Sequence, residues 1–113
     1  MDAILQQMEE ADVIVMSTPV YYYSMAGQMK TFLDRSYSKY TGFKNKEIYY
    51  IISAGAPFED VADTVLNEFR GWIRCCDSSV KEKGYVLGLG VYDKGDVKDK
   101  VSMQEAYELG KNI

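Results

Sequence analysis

The chain has 113 residues, 13 of them basic and 17 acidic, for a formal charge of −4, and 47% are hydrophobic. That length supports one small domain, residues 1–113, with a modest core, and the acidic balance argues against binding a nucleic-acid backbone. The longest apolar runs are about five residues, far below the roughly 20 that a membrane-spanning helix needs. Histidine is absent, which removes imidazole acid–base chemistry and most zinc sites. The only cysteines, Cys75 and Cys76, are adjacent and cannot staple distant segments. Together with an acidic, amphipathic N-terminus in place of a signal peptide, they lead us to expect a reduced, cytoplasmic protein.

Ile4, Leu5 and Met8 share one face of a short helix predicted over 2–10, with Asp2 as a candidate cap. Val13–Met16 is an unbroken, mostly β-branched run that suits a strand buried on both faces. The strand is expected to end by Ser17, because Pro19 offers no N–H and biases Thr18 towards an extended conformation. Three tyrosines follow, out of ten in the chain. Ser24 is then a plausible N-cap for a helix from about Met25 to Ser38, with Met25, Met29, Phe32 and Leu33 along one face. A polar connector over 41–46 leads to a second buried-strand pattern, Glu47 to Ser53, closed by Ala54-Gly55-Ala56-Pro57. A long helix is expected from Glu59, with Val61, Ala62, Val65, Leu66, Phe69, Trp72, Ile73 and Cys76 as its apolar stripe. A third strand is predicted from Tyr85 to Tyr92, followed by a charged loop over 93–100. Ser102 and Glu105 form a capping-box pattern for a last helix with Ala106 and Leu109 facing inward. Helices alternating with strands imply βαβ units, a parallel sheet and right-handed crossovers.

In such sheets ligands bind outside the carboxyl ends of the strands. Two stretches reach that edge. In the first, Tyr21, Tyr22 and Tyr23 cannot all enter one core. They either line a surface or subunit contact, or present ring faces to a flat, amphipathic ligand. The second, Ser53 to Pro57, is either a tight turn or a place where small residues let a ligand approach backbone N–H groups. Gly84–Val91 lacks the strand–GxGxxG–helix arrangement, and no G-K-[ST] is present, so Rossmann and P-loop binding have no support. Asp34-Arg35 reads as an exposed ion pair or helix clamp, and the cysteines as structural thiols. No carboxylate pair is positioned for acid–base catalysis, so no catalytic residue is nominated and no metal site is expected.

The stretch A-D-V-I-V-M-S-T-P-V-Y-Y-Y-S-M-A-G-Q-M-K-T-F-L-D-R resembles the strand–loop–helix pattern of the flavodoxin-like NAD(P)H-dependent FMN reductases, including their iron–sulfur flavoprotein relatives. S-A-G-A-P and the terminal A-Y-E-L-G-K-N-I add weaker support. The resemblance implies an α/β, flavodoxin-like three-layer fold with helices on both faces of a parallel sheet, here reduced to about three strands. It implies FMN as cofactor, with Thr18, Pro19, Val20, Tyr21 and Tyr22 beside the isoalloxazine ring and Ala54, Gly55 and Ala56 approaching from the next strand. NAD(P)H would give a hydride to the flavin, and a small-molecule acceptor would take the electrons. The family's phosphate loop, first helix and second strand would precede Met1, so the chain is expected to be the C-terminal portion of the fold. The strand at Val13–Ser17 would then have a bare apolar edge, and a homo-oligomer formed through it is expected. The alternatives are a scaffold without cofactor and a flavodoxin-type electron carrier.

Overall fold

The computed structural model describes residues 1–113. Three parallel strands, β1 (Val13–Tyr21), β3 (Glu47–Ser53) and β4 (Lys81–Gly88), form the sheet with β3 in the middle. A two-residue strand, β2 (Ser24–Met25), folds back antiparallel on the end of β1. The helices are α1 (Asp2–Glu10), α2 (Gly27–Arg35), α3 (Asp63–Cys75) and α4 (Val101–Lys111), with 3-10 turns at Ser36–Gly42, Glu59–Ala62 and Asp96–Asp99. The expected alternation and parallel sheet are present, and β2 is an addition to them.

Side chains alternate across a strand, and the alternation sorts this sheet into two unequal faces. Ile48, Tyr50 and Ile52 are fully buried, and the register aligns them with Ile14, Met16 and Thr18 of β1. The Tyr50 ring stacks on Phe69 of α3 at 4.4 Å and 7°, so α3 covers this face. Leu5 and Met8 of α1, with Leu33, Phe43, Val65 and Leu66, complete one core cluster. Arg70 donates two 3.0 Å hydrogen bonds to the Glu82 carboxylate and ties α3 to β4. On the other face α4 packs at the β4 side, where Leu109 leaves no ordinary room for a side chain at Gly84. Further across, Val15 is 50% exposed and Ile51 38% exposed. From Val13 to Pro19 the outer edge of β1 has no strand partner.

Pro19 does not end its strand; β1 runs on to Tyr21, with Pro19 in register with Ser53. An edge strand tolerates proline because no neighbour needs its N–H. The third strand starts at Lys81, earlier than expected, and ends at Gly88, short of the expected Tyr92; an edge strand accommodates the polar Lys81-Glu82-Lys83. Ser24, Asp2 and Ser102 are not N-caps: the caps of α2, α1 and α4 are Ala26, Met1 and Lys100. Ser102 lies inside α4, buried, with its hydroxyl unpartnered. The long helix begins with a 3-10 turn, and α3 proper starts at Asp63.

The polar connector holds two buried residues that its composition hides. Phe43 is fully buried, and Lys46 is 4% exposed. The Lys46 ammonium donates to the carbonyls of Glu9 at 2.9 Å and Ala11 at 2.6 Å, closing the end of α1 against the start of β3. Lys46→Met leaves those carbonyls without their charged donor and is expected to cost about 2–3 kcal/mol, read as a lower midpoint in urea unfolding.

Candidate functional site at the carboxyl edge of the sheet

All three parallel strands end at one edge, and the loops that follow them converge there. The first loop is a two-residue hairpin, Tyr21-Tyr22-Tyr23-Ser24, with φ of 51° at Tyr22 and 65° at Tyr23. Positive φ at both central positions is the requirement of a type I′ turn, which ordinarily selects Asn-Gly. Two tyrosines held this way carry backbone strain, and strain of this kind gathers at functional sites. The hairpin is held from both sides. Ser24 Oγ donates to the two Glu68 carboxylate oxygens at 3.0 and 3.1 Å, and the Met25 N–H donates to the same group at 3.1 Å. Thr18 Oγ1 accepts the Ala26 N–H at 3.0 Å and donates to the Pro19 carbonyl at 2.9 Å. The rings themselves stay in solvent: Tyr22 is fully exposed, and Tyr21 and Tyr23 are more than half exposed.

The second loop, after β3, is pinned to the third by backbone bonds. The Ala54 N–H donates to the Gly88 carbonyl at 2.9 Å, while the Ala54 and Ala56 carbonyls accept from Val91 at 3.0 Å and Gly90 at 3.2 Å. Gly55 is needed for contact: a Cβ there would lie 2.7 Å from the Tyr92 ring, which rests on the glycine backbone. Asp96 organises the third loop by accepting the Tyr92 N–H at 3.0 Å and the Asp93 N–H at 2.8 Å. Those backbone bonds hold its carboxyl below the usual carboxylate range. A carboxyl whose value is lowered by the fold stabilises it above the unfolded value of about 4 and loses that effect as pH falls through the lower, folded value. The Tyr92 and Asp93 amide resonances are therefore expected to stay constant from neutral pH down to about pH 4 and to move only below it. Asp96→Ala should shift both at every pH.

Between these loops lies a cleft of about 750 Å³, a size suited to a small-molecule ligand. Pro19, Val20, Tyr21 and Tyr22 form one wall and Ala54, Gly55 and Ala56 the floor, so the structure brings these expected residues together. Thr18 lies outside this cleft. It is 2% exposed, its hydroxyl is occupied in bracing the hairpin, and it borders a separate hollow beside α2. The opposite wall, Val91 to Gly95, was not singled out from sequence. Its signal was topological: in a parallel sheet the third β–α loop must reach the same edge. Glu68, which anchors the hairpin from α3, gave no local signal. Lys94 is the one cationic side chain in the lining. No three His, Cys, Asp or Glu side chains cluster as metal ligands, and no helix is long and apolar enough to cross a membrane.

The family model for NADPH-dependent FMN reductase matches residues 1–86. The chain belongs to this family. It is 32% identical over 118 residues to an iron–sulfur flavoprotein of Archaeoglobus fulgidus, an alignment covering all of this chain and 50% of the relative. It thus spans about half that relative's length. Among solved structures, the Trp repressor binding protein of Bacillus subtilis superposes with a TM-score of 0.82 at 22% identity, over 96% of this chain and 70% of that one. The general stress protein 14 of Treponema denticola, solved in complex with FMN, gives 0.73 at 18% identity, over 98% of this chain and 71% of that one. These superpositions establish a flavodoxin-like fold for the chain.

Proposed function

We propose that the cleft binds the isoalloxazine ring of FMN and that the chain works as, or as part of, an NAD(P)H-dependent flavin oxidoreductase. The observation that carries this reading is the tyrosine hairpin, held at positive φ over the small-residue floor of Ala54, Gly55 and Ala56. A planar ring system suits such a slot, since its aromatic walls, with Tyr92 lying on Gly55, supply flat contact area. The flavin, when bound, supplies the redox chemistry by taking a hydride from NAD(P)H and passing electrons to a small-molecule acceptor. The chain's own part is to bind and orient. Pro19, Val20, Tyr21 and Tyr22 flank the ring and Ala54 to Ala56 receive it; Glu68 fixes the hairpin. Tyr92 and Asp96 shape the opposite wall. Thr18 acts through the hairpin it braces.

We also propose that residues 1–113 form one folded unit, which self-associates through the open β1 edge. Val13 to Ser17 carries no charge that would discourage pairing with another strand. A monodisperse monomer by light scattering at high micromolar concentration contradicts the association.

Steady-state oxidation of NADH and NADPH by the FMN-supplemented chain, with a quinone as acceptor, tests the activity. Acceptor-dependent turnover above the rate of free FMN supports an oxidoreductase. Flavin binding without direct nicotinamide oxidation marks an electron carrier, and neither result marks a scaffold.

A further inference from the structure

A second hollow, of about 550 Å³, opens at the other end of the sheet between the carboxyl ends of α2 and α3. Three rings line it. Tyr37 and Tyr40 stack on one another at 5.2 Å and 24°, and Trp72 stands across from them. The indole is held in place: its N–H donates to Ser36 Oγ at 3.0 Å, and that buried hydroxyl donates to the Leu33 carbonyl at 2.6 Å. Asp34 contributes a carboxylate to the lining, and no lysine or arginine lines it. α3 ends at Cys75 on the rim, directing the negative end of its dipole there. Asp34 does pair with Lys30 at 2.6 Å, but both side chains are more than half exposed, and such a pair exchanges readily for a better partner.

We propose that this hollow is a binding site for a small organic cation with an apolar body, of the quaternary or aromatic ammonium class. Ring faces attract a poorly hydrated cation through their quadrupoles, and Asp34 with the α3 terminus supplies the remaining negative potential. An anion would have to face the Asp34 carboxylate and the α3 terminus, and a compact hydrated cation would gain little from the rings. The site lies away from the flavin cleft and stands independently of the function proposed for it.

The chain has a single tryptophan, so Trp72 emission excited at 295 nm reports the hollow directly. Benzyltrimethylammonium is the probe and tert-butylbenzene its neutral control. We expect saturable quenching at submillimolar probe with no response to the neutral compound. Asp34→Asn should weaken the cation about tenfold, and Lys30→Gln, which releases Asp34, should strengthen it a few-fold. Both side chains are exposed, so neither variant threatens the fold. Saturating cation should also slow alkylation of the exposed Cys75 by iodoacetamide; burial, and then the neighbouring Cys75, push the Cys76 thiol up to about 11 and keep it less reactive. Quenching that is merely linear in probe overturns the proposal. So does an equal response to the neutral compound, or affinity unchanged in Asp34→Asn.

Discussion

Phe69→Ala is expected to destabilise the chain by about 3–5 kcal/mol. Phe69 is fully buried, and its ring lies parallel to that of Tyr50 on the central strand at 4.4 Å. Removing it takes away both the burial of the ring and the stacked contact, and a flat cavity opens between α3 and β3 that the neighbouring Val65 and Ile52 cannot fill. Small domains are stable by only about 5–15 kcal/mol, so the variant should unfold at much lower denaturant and show loosened tertiary structure under native conditions. Phe69→Leu keeps most of the volume and should cost well under half as much. The effect should also reach the cleft, since Glu68, which holds the tyrosine hairpin, is the adjacent residue on α3. Equilibrium unfolding in urea followed by circular dichroism measures the loss. A change below about 1 kcal/mol would mean that the ring pair is not the centre of the core.

The second large effect separates stability from function. Replacing Tyr22 with Asn and Tyr23 with Gly installs the residues that a two-residue type I′ turn prefers. Relief of two left-handed tyrosines should raise stability by about 1–2 kcal/mol. The same change removes two ring faces from the mouth of the cleft. Aromatic stacking on a planar heterocycle is worth about 1–3 kcal/mol per ring, so losing both rings should lower flavin affinity by about thirtyfold or more. A more stable chain that binds flavin less well is the outcome that marks the tyrosines as functional. A more stable chain with unchanged flavin affinity would assign them to the surface alone. Reduced stability would show that the rings contribute packing not visible in their exposure.

Much of this architecture could be read from the sequence because it depends on local pattern. Glu47–Ser53 is a mostly buried central strand and has the bounds its composition suggests. The α1 helix likewise follows its apolar spacing. The strand bounds depart from the sequence pattern for one reason: edge strands obey looser rules than central ones. Pro19 is tolerated because β1 has an open side, and Lys81 to Lys83 join β4 because its outer side is open as well. At Ser24 a distant partner claims the capping side chain. Ser24 looks like an N-cap in isolation, yet Glu68, 44 residues later, takes its hydroxyl. Phe43 and Lys46 were hidden because a polar run averages out the one ring and the one ammonium that the core needs.

The same division applies to the cleft. The loops after β1 and β3 were legible as ligand-facing because strand ends are marked by Pro, Gly and aromatic residues. Thr18 belonged to the same run of sequence, but strand alternation turns its side chain inward, where it serves Ala26 and Pro19. Tyr92 reads as the last residue of a strand, and Asp96 sits in a stretch whose charge and glycine content suggest only a solvated loop. Their role emerges from geometry, through the ring on Gly55 and the carboxylate beneath two amides.

The most direct test of the account is a titration of the chain with FMN, followed by quenching of flavin fluorescence, with the Tyr22→Asn, Tyr23→Gly variant alongside. The account predicts saturable binding to the native chain that weakens at least tenfold in the variant, as expected for a ring held by the hairpin. Absence of saturable binding at hundreds of micromolar FMN, or equal binding by the two chains, would contradict it.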